Sequence, residues 1–100
     1  MIKKQFIKSR NVVKLTFELP RETEAETVQL LADFNGWKPA AFSRLKNGKW
    51  QLVQEVEPGR EYQFRYRLVQ GGAEQRYEND AEADAVVPND QGTTNAVVRC

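Results

Sequence analysis

Residues Glu61–Val69 restrict the fold more than any other stretch, because their side chains alternate between apolar and polar. One face of an extended chain here carries Tyr62, Phe64, Tyr66 and Leu68, and the other carries Gln63, Arg65 and Arg67. A period of two is the pattern of a β-strand with one buried face. We therefore predict two packed antiparallel sheets, with the aromatic face of this strand between them.

Several other stretches show strand and turn patterns. Val13–Leu19 has the same alternation, and Thr27–Asp33 is an apolar run that ends at the turn dipeptide Asn35-Gly36. The remaining predicted features are strands at Phe42–Lys46, Lys49–Val56, Gln75–Asn79 and Thr94–Arg99, a two-residue Asn47-Gly48 turn, turns at Pro58-Gly59 and Gly71-Gly72, and an acidic loop over Asp80–Gln91. Trp50 is in phase with Leu52 and Val56, which predicts a core position. Short strands separated by turn signals, without a helical period, predict an all-β sandwich.

The chain has the size and composition of one globular domain. Its 100 residues suffice for a single modest core, and 40% apolar with 29% charged residues is an ordinary balance. Residues 1–11 mix charged and apolar side chains without a clear period, so we predict an N-terminal basic arm followed by one domain over residues 12–100. The net charge of +1 does not favour a nucleic acid as partner.

Residue counts also bear on the cellular compartment. Cys100 is the only cysteine, which fits a reducing compartment. No stretch approaches the ~20 apolar residues that a membrane helix needs. We therefore predict a cytoplasmic protein with no membrane partner.

The residue types offer little for metal binding or catalysis. The absence of histidine removes the commonest general base and a principal zinc ligand. Asp80, Glu82 and Asp84 are spaced as in a calcium loop, but Ala85 and Gln91 stand where such a loop requires glycine and glutamate. We predict no metal, no cofactor and no enzymatic activity.

An ordered series of motifs resembles a known family of carbohydrate-binding domains. The series consists of Asp33-Phe34-Asn35-Gly36-Trp37, Pro58-Gly59-Arg60-Glu61-Tyr62, the strand that follows, Tyr77-Glu78-Asn79-Asp80 and Gly92-Thr93-Thr94-Asn95. In order and spacing it resembles the glycogen-binding module of carbohydrate-binding module family 48, found in the β subunit of AMP-activated kinase and at the front of isoamylases and branching enzymes. The resemblance covers most of the chain, from residue 12 to residue 99. It implies an immunoglobulin-like, early-set antiparallel β-sandwich that binds α-glucan (glycogen, starch or a maltooligosaccharide) without catalysis, with a glucan-metabolising enzyme or another protein as a further partner.

The same resemblance implies a set of carbohydrate-binding positions. The family's first stacking tryptophan matches Trp37. Its basic residue on the central strand, usually lysine, matches Arg65, and its second stacking tryptophan falls on Tyr77. The polar pair in its last loop matches Thr93 and Asn95.

Two positions depart from the family pattern. Tyr77 is a smaller ring than the family's tryptophan, and Gln91 stands where the kinase module has a leucine that wedges against the sugar. Both departures reduce the apolar contact area, so we expect weak glucan binding. They also favour a second interpretation, in which the chain is a protein-interaction or regulatory module that has lost the sugar site.

Side-chain chemistry leaves the role of each position open. A sugar ring lays its C–H face on an aromatic ring and meets planar donors and acceptors with its hydroxyls. Trp37 is either such a platform or a plug that closes the end of the sandwich. Arg65 points outward in the strand pattern, either as a sugar donor or as a solvated side chain. Tyr77 can belong to the core instead, and Asn95 can satisfy loop backbone groups.

Overall fold

The computed structural model describes residues 1–71 and 74–100. Its strands are β1 Ile2–Ile7, β2 Val12–Leu19, β3 Thr27–Ala32, β4 Ala40–Ala41, β5 Ser43–Arg44, β6 Trp50–Val56, β7 Glu61–Gln70, β8 Glu74–Glu78, β9 Ala85–Pro88 and β10 Thr94–Arg99, and a short 3₁₀ turn Asp33–Asn35 follows β3. They form a four-stranded sheet in the order β1-β2-β6-β5 and a six-stranded sheet in the order β4-β3-β7-β10-β9, with β8 added to β7. The predicted all-β, immunoglobulin-like antiparallel sandwich is confirmed. None of the described residues forms a helix that is long and apolar enough to cross a membrane.

The core lies between the inner faces of the two sheets, as the alternating strands predict. Its buried members on β2 and β7 are Val13, Leu15, Phe17, Tyr62, Phe64, Tyr66 and Leu68. The Phe17 ring lies 5.2 Å from the Phe64 ring and 6.4 Å from the Tyr66 ring, both in edge-to-face geometry. Trp50 is only 5% exposed, which confirms its predicted place in the core.

The residues predicted as an N-terminal arm form an edge strand. β1 pairs with β2 along its whole length, from Ile2 opposite Phe17 to Ile7 opposite Val12. The core-facing side of β1 also carries Lys4, whose Nζ reaches Asp84 Oδ2 at 2.6 Å. Because only part of this side covers the core, the strand lacks the clear apolar alternation that marks β2.

The hairpin between β5 and β6 differs from the predicted two-residue turn. The Leu45 amide donates to the Lys49 carbonyl, so residues 46–48 form a three-residue loop. Gly48 has φ of +87° and donates to the Leu45 carbonyl, which is the geometry that three-residue hairpin loops favour. Asn47 does not take the left-handed position; its side chain accepts a hydrogen bond from the Lys49 amide instead.

The predicted strand Phe42–Lys46 is also shorter than expected. Ala40–Ala41 belongs to the six-stranded sheet and Ser43–Arg44 to the four-stranded sheet. The buried Phe42 therefore lies where the chain crosses from one sheet to the other, and no single strand can continue through it.

The predicted acidic loop Asp80–Gln91 contains a strand. Within it, β9 pairs with β10, from Ala85 opposite Val97 to Pro88 opposite Thr94. Pro88 is tolerated because it stands at the end of an edge strand, where its missing amide costs no ladder bond. At the neighbouring predicted turn Gly71-Gly72, Gly71 has φ of +61°, and Gly72 lies outside the described residues.

Strand β7 changes its neighbour along one edge, and this change positions the candidate site. Residues 61–64 pair with β10, whereas residues 66–70 pair with β8. On the opposite edge, β3 pairs with residues 64–69. Arg65 lies where the neighbour changes, and its side chain is on the outward face because Phe64 and Tyr66 point into the core.

Candidate functional site

A groove of about 570 Å³ crosses the outward face of the six-stranded sheet at the end of β3. Its lining residues are Leu31, Trp37, Gln63, Arg65, Pro88, Asn89, Asp90, Gln91 and Asn95. A smaller cavity of about 140 Å³ adjoins it on the other side of Arg65 and is lined by Arg65, Tyr77, Glu78, Asn79, Thr93 and Thr94. The structure therefore gathers the other four sequence-predicted positions around the Arg65 side chain: Trp37, Tyr77, Thr93 and Asn95.

One wall of the groove is the turn that follows β3. The Asn35 side chain accepts a hydrogen bond from the Ala32 amide, and Gly36 takes a left-handed φ of +69°. The Trp37 amide then donates to the Ala32 carbonyl at 2.8 Å, which closes the turn. This geometry leaves Trp37 39% exposed beside the groove.

Trp37 itself has an unusual backbone conformation. Its φ is +62°, in the left-handed region that bulky side chains rarely adopt. Such a residue persists only where its surroundings fix it, and strain of this kind is concentrated at functional sites. The sequence predicted a turn at Asn35-Gly36. In the structure the two consecutive residues with left-handed backbone are Gly36 and Trp37, and Asn35 is not one of them.

Asp33 connects this turn to the central strand. β3 stops pairing with β7 at Ala32, and the Asp33 carboxylate then accepts a hydrogen bond from the Gln63 amide at 3.0 Å. The carboxylate thus replaces the backbone acceptor that a longer β3 would provide. It fixes the turn that bears Trp37 against the floor of the groove.

Arg65 forms the ridge between the groove and the smaller cavity. Its guanidinium carbon lies 4.2 Å from the centre of the Tyr77 ring, a cation–π contact. Its Nη1 donates to Thr93 Oγ1 at 3.4 Å, and its Nη2 donates to Gln91 Oε1 at 3.3 Å. Within the described residues, all these partners are uncharged, and Arg65 has no carboxylate at ion-pair distance.

Tyr77 lies on the surface and not in the core. The side chain is 47% exposed, and β8 places it beside Arg67 on the outward face of the sheet. The Arg65 guanidinium covers one face of the tyrosine ring. A planar ligand can reach that face only if the arginine moves.

Asn95 lies on the floor of the groove and is only 6% exposed. Its Nδ2 donates to Gln63 Oε1, and its Oδ1 accepts from Asn89 Nδ2, both at 3.1 Å. Because both ends of the amide already have protein partners, the side chain orients its neighbours. Thr93, by contrast, is exposed at the rim, with its hydroxyl near Arg65 and Asn89.

The structure adds three residues that sequence reasoning did not single out: Asp33, Gln63 and Asn89. Asn89 begins the loop between β9 and β10, which forms the second wall of the groove. Its only signal in the sequence is the composition Pro88-Asn89-Asp90, which is typical of turns in general. Gln63 was predicted to face outward, but a glutamine on an outward strand face carries no signal of a specific partner.

Asp80 lies outside the groove, where it joins the end of β8 to the core. The carboxylate is almost fully buried and accepts from the Tyr66 hydroxyl at 2.6 Å, the Glu82 amide at 2.8 Å and the Met1 amine at 3.0 Å. Burial by itself raises the pKa of Asp80, but these donors outweigh it and hold the pKa below its usual range. Burial, followed by the hydrogen bond to Asp80, raises the pKa of Tyr66.

Asp84 likewise serves the fold. It accepts hydrogen bonds from the Arg99 amide at 2.7 Å and from Lys4 at 2.6 Å. These two donors lower its pKa, the Arg99 amide more strongly. Two of the three carboxylates that sequence spacing grouped as a calcium loop, Asp80 and Asp84, therefore accept hydrogen bonds from distant parts of the chain.

The side chains around the groove are complementary to a ligand that offers both an apolar face and several hydroxyl groups. Trp37 provides an exposed aromatic surface, and Arg65, Thr93 and Gln91 provide planar or hydroxyl hydrogen-bonding groups beside it. No protein-family model matches the sequence, and no match is found among curated proteins. The chemistry of these side chains is therefore the basis for the function proposed below.

Proposed function

We propose that this chain is a non-catalytic module that binds α-glucan, as glycogen, starch or a maltooligosaccharide, and that it belongs with carbohydrate-binding module family 48. The observation that carries the proposal is the exposed Trp37 indole at the edge of a groove that also holds the Arg65 guanidinium. A hexose presents an apolar C–H face edged by hydroxyls, and an aromatic ring beside planar donors complements it.

The shape of the site supports an oligosaccharide. The groove volume of about 570 Å³ is within the roughly 300–1,000 Å³ typical of small-molecule sites. The adjoining cavity behind Arg65 extends the same surface towards Tyr77. A chain of sugar units can therefore contact Trp37 and reach across Arg65.

The residues around the groove also support binding without catalysis. Hydrolysis of a glycosidic bond needs two carboxylates on either side of that bond. Of the described residues that line the groove, only Asp90 has a carboxylate side chain. The proposal accordingly includes no reaction. It does include a cytoplasmic location, which the single cysteine supports, and a glucan-metabolising enzyme as a protein partner.

We expect the binding to be weak because several groups of the site already contact one another. Arg65 covers one face of Tyr77 and is hydrogen-bonded to Gln91. A sugar that uses either group has to break these contacts first. The same contacts favour the second candidate function, a protein-interaction module whose groove no longer binds sugar.

The test is calorimetric titration of maltoheptaose into the wild-type protein, Trp37→Ala and Phe6→Ala. Aromatic stacking is worth roughly 1–2 kcal/mol, so Trp37→Ala should weaken binding about five- to thirtyfold. Phe6→Ala is the matched control, because Phe6 is an exposed aromatic residue on β1 of the other sheet. Circular dichroism on all three proteins verifies the fold.

Two negative results have different meanings. If the wild-type protein gives no response at millimolar sugar while an added quencher reaches Trp37, the interaction-module function is the better one. If the quencher does not reach Trp37 either, the tryptophan is a plug at the end of the sandwich, and the groove is not a sugar platform.

A further inference from the structure

The loop between β9 and β10 is organised by one side chain, that of Asn89. Its Oδ1 accepts hydrogen bonds from the Gln91 amide at 3.0 Å and the Thr93 amide at 3.1 Å. Its Nδ2 donates to Thr93 Oγ1 at 2.7 Å, and its backbone amide donates to the Thr93 carbonyl at 3.0 Å. The same asparagine therefore holds both loop residues whose side chains accept hydrogen bonds from Arg65, namely Gln91 and Thr93.

Asn89 also connects this loop to the opposite wall of the groove. Its Nδ2 donates to Asn95 Oδ1 at 3.1 Å, and Asn95 Nδ2 donates to Gln63 Oε1 at 3.1 Å. The backbone amide of Gln63 donates to Asp33 Oδ2 at 3.0 Å, at the start of the turn that carries Trp37. The hydrogen bonds thus form a continuous chain across the floor of the groove.

This chain of hydrogen bonds requires, at position 89, a side chain that both donates and accepts. An aspartate can accept from the two loop amides but cannot donate to Asn95, and an alanine can do neither. The side chains of Asn95 and Gln63 in this chain of hydrogen bonds are also amides. Asn95 is buried, and a buried amide that loses its hydrogen-bond partner lowers the stability of the fold.

We propose that Asn89 is a positioning residue of the groove, which fixes the 89–93 loop and couples it through Asn95 and Gln63 to the turn that bears Trp37. The effect on sugar affinity rests on the proposed glucan-binding function, whereas the coupling between the two walls does not. Asn89 itself acts through Thr93, Gln91 and Asn95.

The experiment uses nuclear magnetic resonance on the ¹⁵N-labelled full chain. It compares the wild type with Asn89→Ala, Gln63→Ala and the control Asn47→Ala, whose asparagine caps a loop of the other sheet in the same way. Hydrogen exchange of the Gln91 and Thr93 amides reports on the loop, and the Trp37 indole N–H resonance reports on the opposite wall. The buried Trp50 indole is the internal control.

We expect Asn89→Ala to speed exchange at Gln91 and Thr93 about tenfold or more, because both amides lose their acceptor. It should also move the Trp37 indole resonance, leave that of Trp50 in place, and weaken maltoheptaose binding about tenfold. Gln63→Ala should move the Trp37 resonance with little change in exchange at Gln91. Asn47→Ala should change none of these readouts.

Unchanged exchange at Gln91 and Thr93 in Asn89→Ala overturns the inference, as does a Trp37 resonance that stays in place in both groove variants. If Asn89→Ala does not fold, Asn89→Asp replaces it, since it keeps an oxygen that accepts from the Gln91 and Thr93 amides and removes the Nδ2 donor to Asn95 and Thr93. The Trp37 indole resonance is then the deciding readout. If the wild type does not bind maltoheptaose, the proposed function fails, but exchange and the indole resonance still decide whether Asn89 couples the walls.

Discussion

Trp37 offers a direct comparison between backbone strain and side-chain burial. A left-handed φ costs a residue with a Cβ roughly 1–2 kcal/mol, whereas glycine adopts it freely. Trp37 has a φ of +62°, and its amide is bonded to the Ala32 carbonyl, so the turn holds it there. Replacing Trp37 by alanine keeps this strain, and replacing it by glycine removes it.

The two substitutions lose the same indole ring but differ in strain. Trp37 is 39% exposed, so about three-fifths of its surface is covered in the folded state. Three-fifths of the roughly 150–250 Å² that a fully buried aromatic residue covers, at about 25 cal/mol per Å², gives a cost of at most about 4 kcal/mol for the loss of the ring. Trp37→Ala should lose this much of the free energy of unfolding. Trp37→Gly should be more stable than Trp37→Ala by about 1 kcal/mol, because glycine removes the backbone strain.

Urea unfolding of both variants measures the difference, provided that the slope m is unchanged. The control pair is Val53→Gly and Val53→Ala, since Val53 is exposed within β6 and glycine in a strand interior is less stable than alanine by roughly 0.5–1 kcal/mol. The sign should therefore reverse between the two sites. A Trp37→Gly variant no more stable than Trp37→Ala would refute the reasoning, because it would show that the turn relaxes once the ring is gone.

Two further predictions concern the core. Trp50→Ala should cost ~3–5 kcal/mol in chemical denaturation, because the buried indole leaves a cavity, and a loss below about 1 kcal/mol would contradict a core position. The pKa of Asp80 is lowered on folding, so the stability that Asp80 contributes is complete above pH 3.8, its usual pKa, and is lost as the pH falls through the lowered pKa. The pKa of Tyr66 is raised on folding, so the stability that Tyr66 contributes is complete below pH 10.0, its usual pKa, and is lost as the pH rises above 10.0. Unfolding free energies measured from acid to alkaline pH should therefore lose part of the acid dependence in Asp80→Asn and part of the alkaline dependence in Tyr66→Phe, and unchanged curves would show that this hydrogen bond does not couple to folding.

The sequence identified the strands that contrast an apolar face with a polar one. Tyr62–Leu68 and Val13–Leu19 were predicted correctly because each covers the core along its length. β1 and β9 were missed because each lies at the edge of a sheet, where burial is partial and alternation is weak. At the Asn47-Gly48 turn, the dipeptide gave the position of the loop but not its length.

The residues of the candidate site were also predictable from the sequence only in part. Turn chemistry placed Trp37 next to a turn, and strand phase placed Arg65 on the outward face. Asn89 could not be predicted, since its role depends on Asn95, which the β9–β10 hairpin brings close, and on Gln63, which only the pairing of β10 with β7 brings to Asn95. A single asparagine in a turn sequence gives no sign of such partners.

The construction of the groove has a consequence for folding. Its walls come from residues 33–37 and 88–93, which meet only after β7 has paired with β3 and with β10. The β5–β6 and β7–β8 hairpins are local and can form early, whereas the groove requires pairings between distant parts of the chain. A ligand in this groove therefore binds the native state alone and raises the free energy of unfolding by RT ln(1 + [L]/Kd), about 1.4 kcal/mol at ten times Kd. Under the proposed function, even a weakly bound glucan would report on folding, because only molecules in which β7 has paired with both β3 and β10 retain it.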